Sequence, residues 1–391
     1  MLDRNDPLAG FRDRFVLPDG LIYLDGNSLG PLPRAAAARI ADVVAREWGR
    51  SLIRAWNDHG WIDLAPRVGE KIGRLIGAEA GGTIVADSTS INLFKCLGAA
   101  LALRPDRRVI LTETGNFPTD IYIAGCTTGV VRVVDDPVAA LNDEVAVLML
   151  THVNYRTGAM HDLPAVTAAA HRAGALVVWD LSHSAGAMPL RLAHDGADFA
   201  VGCGYKYLNG GPGAPAFLSV ASAHRERVRF PLTGWLGHAD PFAFEPSFRQ
   251  AAGVAGAVVG TPPILSLAAL EVGVDLMLEA PMDAVRAKSI ALSQRFLLDM
   301  TARGFVSLSP RDPARRGSQV SFAHPNGYPI MRALIDRGVI GDFRAPDVMR
   351  FGFAPLFLRH RDVDDAIAIL DDVMATEAWR DPRFQERRPV T

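Results

Sequence analysis

The chain alternates between segments with apolar residues at helical spacing and short runs of β-branched and aromatic residues. The helical spacing covers residues 35–48, 64–76 and 91–103. Strands are predicted at five short runs, namely 108–112, 130–134, 145–150, 175–180 and 198–203. Several of these runs are apolar on both faces, which is typical of strands that helices cover on both sides. The pattern therefore predicts an α/β domain with a mostly parallel sheet.

The pattern changes after about residue 280. A long amphipathic helix is predicted at 284–303, a short strand at 318–323 and a last helix near 362–375. This mixture predicts a smaller α+β domain. We divide the chain into an N-terminal arm and helix, a large domain and a small C-terminal domain, at residues 1–45, 46–282 and 283–391.

One uncharged segment, residues 251–270, is long enough to raise the question of a membrane span. Its centre is "GTPP", which would break a spanning helix, and the small residues before it favour a buried loop. The first ten residues, "MLDRNDPLAG", are charged and lack the apolar core of a secretory signal. We therefore expect a cytoplasmic protein without a membrane partner.

The composition of this chain of 391 residues indicates which classes of partner it binds. The 41 basic and 43 acidic residues nearly balance, which indicates neither nucleic-acid binding nor attachment to a membrane surface. The expected partner is a small molecule. Three cysteines, Cys96, Cys126 and Cys203, have neither paired nor metal-like spacing, so free thiols and no metal site are expected.

Candidate chemistry gathers where the predicted strands end, which is the edge at which open α/β sheets bind ligands. Asp180 closes the strand "ALVVWD", and His183 follows it in "LSHSAG". Lys206 comes after the next strand, between Tyr205 and Tyr207 in "GYKYLNGGPG". Glycines in this stretch let the backbone approach a ligand closely or take positive φ angles. A single lysine in that setting indicates an amine held for chemistry.

Two further segments add polar groups at the same edge. Thr89 and Ser90 lie where a helix is expected to begin, so their hydroxyls and the first backbone N–H groups can hold an anion. The segment "NFPTD" contributes the ring of Phe117 and the carboxylate of Asp120. Taken singly, these residues also fit a helix cap, an ion pair or a surface charge. Together with Asp180 and Lys206 they are the parts that pyridoxal phosphate requires: a lysine, a carboxylate for the pyridine nitrogen and a phosphate site.

Several strings in the sequence resemble the kynureninase family, whose members are pyridoxal-phosphate enzymes of fold type I in the aminotransferase class V group. The strings are "YLDGNSLGPLP", "NFPTD", "VVWDLSHSAGAMPL", "GYKYLNGGPG", "GWLGH" and "GTPPILSL", and the resemblance runs from about Tyr23 to about Leu356. It implies a large domain with a mostly parallel seven-stranded sheet and a smaller α+β C-terminal domain.

The resemblance also implies roles for the residues around the cofactor. Lys206 matches the lysine that forms the Schiff base, and Asp180 matches the carboxylate on the pyridine nitrogen. Phe117 matches the ring that stacks on the cofactor, and Asp120 and His183 match residues that orient it.

Further matches concern the phosphate, the neighbouring subunit and the substrate. Thr89 and Ser90 match the pair at the phosphate-binding helix start. Tyr205, Trp235 and Thr261 match the remaining cofactor contacts; the last two are expected to come from a second subunit, which implies a homodimer. Arg350 matches the arginine that binds the substrate carboxylate, with Arg344 as a competitor. The segment at residues 54–62 aligns loosely, so none of its residues is assigned as catalytic.

The implied reaction is hydrolysis of L-kynurenine to anthranilate and L-alanine, with Lys206 transferring the Cα proton and Tyr205 relaying a proton in later steps. A preference for 3-hydroxykynurenine stays open, as does a catabolic or biosynthetic role in tryptophan metabolism. A cysteine desulfurase or selenocysteine lyase shares the fold, but the chain has no cysteine after Cys203. Two other readings are a serine hydrolase, since "GNSLG" matches G-x-S-x-G at Ser28, and a cofactor-binding sensor without turnover. The position of Ser28 near the start of the chain and the absence of a basic arm argue against them.

Overall fold

All six predicted strands are present in the computed structural model, which adds further short strands. The model describes residue 3 and residues 5–387. Within those residues the strands are β1 (Ile22–Tyr23), β2 (Thr83–Val85), β3 (Val109–Glu113), β4 (Val130–Val134), β5 (Val145–Thr151), β6 (Leu176–Asp180), β7 (Phe199–Gly202), β8 (Phe217–Val220), β9 (Val306–Ser307), β10 (Gln319–Ala323), β11 (Val339–Ile340), β12 (Asp342–Arg344) and β13 (Val348–Gly352).

The five predicted helical segments are helical, and the structure adds further helices between them. In the described part of the chain they are α1 (Arg34–Asp42), α2 (Gly49–Ser51), α3 (Ala55–Asp58), α4 (Leu64–Leu75), α5 (Thr89–Leu103), α6 (Pro118–Gly125), α7 (Leu163–Arg172), α8 (Ser222–Arg225), α9 (Ile264–Glu279), α10 (Met282–Ala302), α11 (Gly327–Asp336) and α12 (His360–Ala375). A π-helical stretch, Val43–Trp48, continues α1, so the helix predicted at 35–48 changes its hydrogen-bond pattern part-way along.

Seven strands form the large sheet in the order β2-β8-β7-β6-β5-β3-β4. The pairs that join β4, β3, β5, β6 and β7 are parallel, whereas β8 runs antiparallel to both β7 and β2. The mostly parallel sheet is therefore confirmed. The sequence pattern did not predict β2 and β8, which have only three and four residues and are too short to show a period.

Side chains on successive positions of the central strands enter two separate cores. Leu148 and Leu150 of β5 pack with α4, α7 and α9 on one face of the sheet. Val147 and Met149 pack on the other face, where α5 lies. This alternation is the two-residue period of a strand covered on both sides. β4 is the exception: its apolar run is partly exposed because it is the edge strand.

The C-terminal part forms a second, antiparallel sheet in the order β12-β13-β10-β9, against which α10 packs. Phe296 of α10 contacts the rings of Phe351 and Phe353, with centroids 4.8 and 5.3 Å apart. The N-terminal arm joins this unit, because β1 pairs in parallel with β11 and Leu24 is buried in the same core. The division at residues 45 and 282 stays a prediction.

The uncharged segment 251–270 consists of a 3-10 helix at Gly253–Ala257, a loop and the first turns of α9. It therefore contains the loop that the "GTPP" string predicts, although its last residues are helical. Among the residues that the model describes, no helix combines the length and the apolar character needed to cross a bilayer.

Candidate active site

Lys206 lies in the loop that follows β7, at the carboxyl edge of the large sheet. Its Nζ is 2.9 Å from Nε2 of His183, which lies in the loop after the neighbouring strand β6. The backbone N–H of Asn209 donates to the carbonyl of Lys206, and Asn209 has a φ of 54°. This tight turn, together with the glycines on either side of it, holds the lysine in a loop of fixed shape.

The loop of "GNSLG" runs directly against the Lys206 loop. The backbone N–H of Gly30 donates to the carbonyl of Tyr205 over 2.8 Å. A Cβ at Gly30 would lie 2.5 Å from the carbonyl oxygen of Lys206, so only glycine allows this approach. Similarly, a Cβ at Gly204 would lie 2.4 Å from the carbonyl oxygen of Pro215. These contacts explain the unusual glycine content of both strings.

Asp180 is the last residue of β6 and is 5% exposed. Its Oδ1 accepts a hydrogen bond of 2.7 Å from the backbone N–H of Ser182. Asp120 of α6 lies beside it and is buried as well, and Thr151 Oγ1 is 3.3 Å from Asp120 Oδ2. The structure therefore brings two of the predicted carboxylates together, on α6 and β6, next to the end of β5.

Burial raises the pKa of Asp120 and of Asp180 above that of an ordinary carboxyl. The charge of Asp180 raises the pKa of Asp120 further, whereas the hydrogen bond between the two carboxyls lowers the pKa of Asp180. Burial and mutual repulsion therefore favour the form in which the pair keeps a proton between them. A buried carboxylate of this kind is stabilised by a cation or by a strong donor placed beside it.

His183 is 4% exposed, and its environment keeps the ring neutral. Burial, and then the charges of Lys206 and Arg350, lower the pKa of His183 well below its usual range. Its Nδ1 is buried without a hydrogen bond of good geometry, although Gln319 is near enough to raise the pKa of the ring slightly. The ring therefore meets Lys206 through Nε2 as a neutral partner.

Two aromatic residues flank this group. Phe117 begins α6 with its ring 41% exposed, and it packs edge-on against Tyr155 at a centroid distance of 5.1 Å. The ring centroid of Tyr205 is 5.9 Å from Lys206 Nζ. The charge that Cys203 would carry as a thiolate, burial and the charge of Asp180 all raise the pKa of Tyr205, so its hydroxyl keeps its proton.

Thr89 and Ser90 are the first two residues of α5, as the sequence pattern predicts. Ser88 caps the helix and accepts from the backbone N–H of Ile91. The strand before α5 pairs with β8, and the N–H of Ala216 donates to the carbonyl of Asp87. Because β8 follows the Lys206 loop, the positive end of a 15-residue helix starts beside that loop.

Arg350 on β13 is 2% exposed and makes an ion pair with Asp342 on β12. Its Nε donates to Asp342 Oδ1 over 2.8 Å, Nη1 donates to the carbonyl of Tyr155, and Nη2 donates to Ser28 Oγ over 3.0 Å. Asp342 thus occupies the face of the guanidinium that a second carboxylate would use. Arg344 binds the same aspartate at 2.8 Å, but its side chain is 42% exposed.

Sequence reasoning missed most of the partners in this arginine cluster. Ser28 donates to Asp342 Oδ2 over 3.0 Å; it belongs to a loop of the site and, in the described structure, has no histidine partner of the kind a hydrolase needs. Burial, followed by the charge of Asp342, raises the pKa of Asp25 to about 7. Two features of the sequence could have indicated these partners. They are the "GNSLG" string, which contains Ser28, and the short spacing between Asp342 and Arg350, which lie on adjacent strands.

Trp235 and Thr261 are the two predicted cofactor residues that do not join the group. The Trp235 ring is 39% exposed and packs on Phe242, and Thr261 lies exposed in the loop before α9. Within residues 5–387, no hydrogen bond or ring contact connects either side chain to Lys206, Asp180 or His183. Their predicted role depends on a second subunit.

The cysteines do not support chemistry at sulfur in this site. Burial raises the pKa of Cys96 to about 12 and also raises the pKa of Cys203. Cys126 is exposed, directly after α6. In the part of the chain that the model describes, no cluster of three or more histidine, cysteine, aspartate or glutamate side chains is arranged to hold a metal ion.

Comparison with known proteins identifies the family. A kynureninase from Burkholderia pseudomallei (strain 1106a) is 51% identical over 407 residues, covering 100% of this chain and 98% of the relative. The chain belongs to the kynureninase family. A kynureninase from Pseudomonas fluorescens is 50% identical with the same coverage, and the family model "Kynureninase C-terminal domain" matches residues 285–370.

Solved structures of more distant proteins show the fold. The apo cysteine desulfurase from Thermococcus onnurineus NA1 superposes with a TM-score of 0.80 at 17% identity, covering 94% of this chain and 98% of that one. A variant of the C-DES protein, with glycine covalently linked to its pyridoxal phosphate, superposes with a TM-score of 0.78 at 18% identity, covering 92% and 99%. The fold is therefore that of fold type I pyridoxal-phosphate enzymes, as the family resemblance implies.

The carboxyl pair generates a prediction about stability and pH. Both folded-state pKa values are raised above the ordinary value of 3.8, so the folded cofactor-free protein binds a proton more tightly than the unfolded chain. This stabilising contribution is complete below pH 4 and is lost as pH rises through the raised pKa, at up to about 1.4 kcal/mol per pH unit. Asp120→Asn is expected to make the free energy of unfolding depend less on pH, because an amide donates to Asp180 at every pH.

Urea unfolding of the cofactor-free protein between pH 4 and pH 8 measures the effect. Asp106→Asn, at an exposed carboxylate, is the control and is expected to keep the wild-type slope. A variant Asp120→Asn with the same pH dependence as wild type would show that the two carboxyls do not share a proton.

Proposed function

We propose that this protein hydrolyses L-kynurenine to anthranilate and L-alanine with pyridoxal phosphate bound at the Lys206 site. The observation that carries the proposal is the 51% identity to curated kynureninases over the whole chain. The group formed by Lys206, His183 and Asp180 at the carboxyl edge of the sheet supports it. The reaction consumes water: the aryl ketone takes up hydroxyl, the bond between Cβ and Cγ breaks, and Cβ gains a proton.

The residues present fit the cofactor. Asp180 is a buried carboxyl with a raised pKa, so the charged N–H of a protonated pyridine ring would stabilise its ionised form. The start of α5, with the hydroxyls of Thr89 and Ser90, suits a phosphate group. Phe117 offers an exposed ring face beside Asp120. When bound, pyridoxal phosphate acts as an electron sink that stabilises negative charge on the substrate next to the amine.

Lys206 is the residue that would hold the cofactor and then move the substrate proton at Cα. An amine does this only when it is neutral. The His183 ring at 2.9 Å is itself neutral, so it accepts from the lysine without adding a second positive charge. His183 thereby orients the lysine, and Asp120 orients Asp180 through the hydrogen bond between the two carboxyls.

Tyr205 is the candidate proton donor for the later steps. Its hydroxyl keeps its proton at neutral pH, so it has a proton to donate. The ring lies beside Lys206, so both residues act on the same side of the loop. We assign Tyr205 the return of a proton to carbon after the Cβ–Cγ bond has broken.

Arg350 is proposed to bind the substrate α-carboxylate. Its guanidinium is buried, oriented by Ser28 and by the carbonyl of Tyr155, and therefore preorganised. Since Asp342 occupies the bidentate face, substrate binding requires the carboxylate to share or replace that contact. Arg344 is exposed and bound to the same aspartate, so it competes for the role.

We also propose a homodimer in which Trp235 and Thr261 complete the site of the second subunit. Both side chains are exposed, and no hydrogen bond or ring contact among the described residues joins them to the Lys206 group of their own chain. The nearby rings of Phe242 and Phe244 are 61% and 75% exposed. Exposed aromatic residues concentrated on one segment are typical of a surface that another protein covers.

The first prediction from the proposed function concerns the cofactor and the reaction together. Wild-type protein supplied with pyridoxal phosphate is expected to be yellow and to release fluorescent anthranilate from L-kynurenine. Lys206→Ala is expected to abolish turnover, and Lys71→Ala, at a half-buried ion pair outside this group, to leave it unchanged. Tyr205→Phe is expected to keep the yellow band and lose most turnover, because the proton donor is removed.

Each outcome of this assay is informative. A yellow protein that is inactive on L-kynurenine would contradict the assignment of L-kynurenine as the substrate. In that case 3-hydroxykynurenine and cysteine are assayed in turn. A protein that stays colourless with added cofactor overturns the role of Lys206. Unchanged turnover and pH dependence in Tyr205→Phe removes that residue from proton transfer.

The second prediction separates the two arginines. Arg350→Gln is expected to raise KM about tenfold to a hundredfold, with a smaller fall in kcat, because charge-assisted hydrogen bonds to the carboxylate are lost. Arg344→Gln removes the other partner of Asp342 and is the matched control. A larger KM increase in Arg344→Gln would transfer the assignment to that residue.

The third prediction tests the shared site. Lys206→Ala and Trp235→Ala are each expected to be inactive or weak alone. When equal amounts of the two variants are dissociated and allowed to reassociate, half of the dimers contain one subunit of each kind. Each such dimer has one intact site out of two, so about a quarter of the wild-type sites are expected to be active. No recovery in a mixture that has demonstrably exchanged subunits would place Trp235 outside the neighbour's site.

A further inference from the structure

Lys95 of α5 is a buried lysine to which the proposed reaction assigns no role. Its side chain is 0% exposed, and its Nζ makes an ion pair with Asp87 Oδ2. Side chains of an α-helix lean toward its N-terminus, so Lys95 reaches back along α5 to the turn before the helix. Its Nζ also donates to the carbonyl of Ala257 over 2.6 Å. The aspartate and this carbonyl together hold the buried ammonium group in place.

The turn that contains Asp87 is fixed by contacts that do not involve Lys95. Asp87 has a φ of 45°, a left-handed conformation that aspartate tolerates better than most residues. The N–H of Ala216 donates to the carbonyl of Asp87 over 2.9 Å. Asn92 Nδ2 donates to the carbonyl of Ala86 over 2.7 Å. The backbone of the turn is thus paired independently of the ion pair, which controls the carboxylate of Asp87, 35% exposed.

The first turn of α5 carries hydrogen-bond donors that the described part of the chain leaves free. Neither the backbone N–H groups nor the hydroxyls of Thr89 and Ser90 have a hydrogen-bond partner among residues 5–387. The next N–H along the helix, that of Ile91, donates to Ser88 Oγ over 3.3 Å. Free donors at the positive end of a helix attract an anion. They can bind a phosphate, but they can equally bind a carboxylate of the protein itself.

Asp87 is the carboxylate nearest to these donors along the chain. Short polar side chains often accept from a backbone N–H two or three residues further on. Asp162 does so in this protein, where it accepts from the N–H of Ala165 over 3.1 Å. The same reach from Asp87 leads to the N–H groups of Thr89 and Ser90. A carboxylate bound there would occupy the donors and repel a phosphate.

We propose that Lys95 is a positioning residue for the cofactor phosphate. It holds the Asp87 carboxylate away from the N–H groups of Thr89 and Ser90, and it compensates the charge of that carboxylate. The inference rests on the proposed function, since it takes pyridoxal phosphate as the ligand at the start of α5. Lys95 acts through Asp87, so removing the lysine releases a competing anion beside the phosphate site.

The test compares two ligands that differ only in the phosphate group. Full-length protein freed of cofactor is titrated with pyridoxal phosphate and with pyridoxal, and the yellow band is measured. Lys95→Met is expected to raise the Kd for pyridoxal phosphate at least about tenfold and the Kd for pyridoxal less than about twofold. A general distortion of the site would weaken the binding of both ligands.

A second substitution tests whether the released carboxylate causes the loss. In the double variant Lys95→Met/Asp87→Asn, the asparagine keeps the shape of the side chain and tolerates a positive φ, but it carries no charge. This variant is expected to bind pyridoxal phosphate within about threefold of the wild-type Kd. The carbonyl of Ala257 loses its donor in the single and in the double variant. A loss of affinity that persists in the double variant would therefore overturn the proposal.

Lys288 of α10 provides the matched control. It is 8% exposed, its Nζ pairs with Asp6 Oδ2 at 2.6 Å, and it donates to the carbonyl of Pro355 over 2.7 Å. Lys288→Met thus removes the same kind of buried pair from the C-terminal unit. It is expected to lower the stability in urea and to leave the ratio of the two Kd values unchanged.

Should Lys95→Met fail to fold, Asp87→Asn alone still tests the proposal at a partly exposed position. It is expected to bind pyridoxal phosphate at least as tightly as wild type, and a loss of about tenfold would overturn the proposal. An unchanged Kd for pyridoxal phosphate in Lys95→Met, or equal losses for both ligands, would overturn it too. A wild-type protein that does not bind pyridoxal phosphate would contradict the proposed function itself and this inference with it.

Discussion

The parallel pairing of β5, β6 and β7 is the constraint on which the site depends. Its register places Thr151 opposite Asp180 and Asp180 opposite Val201. The ends of three strands therefore meet at one edge, and the loops that carry His183 and Lys206 leave from neighbouring strands. A slip of one residue in β6 would turn Asp180 toward the opposite face of the sheet and separate it from Asp120.

Burial at this edge acts in opposite directions on acids and bases. It raises the pKa of Asp120 and Asp180 and lowers the pKa of His183, so the carboxyl pair retains a proton and the imidazole is neutral. The protein thereby limits the charge it buries before any cofactor binds. A positively charged pyridine ring fits beside Asp180 because that charge is missing from the protein itself.

The buried arginines show two ways of handling the same problem. Arg350 is neutralised by Asp342, which makes its burial tolerable and fixes its orientation. Arg286 and Arg316 rely on carbonyl and amide oxygens alone, and no acidic side chain among the described residues compensates them. In the first arrangement, Asp342 occupies the donors of Arg350 that a ligand carboxylate would otherwise use. The second leaves both guanidiniums without an ion pair among the described residues.

The sequence by itself determined the main elements of the large domain and the placement of Lys206, Asp180 and His183, because strand and helix periods arise from neighbours along the chain. The sequence pattern did not predict the short strands β2 and β8, because three or four residues are too few to show a two-residue period. Only the tertiary structure decided which charges meet. Arg350 donates to Ser28 and to Tyr155 across 322 and 195 residues of sequence, and the free Nη1 of Arg286 depends on which groups packing leaves nearby. Such contacts join residues that are far apart in the sequence, so local sequence patterns cannot predict them.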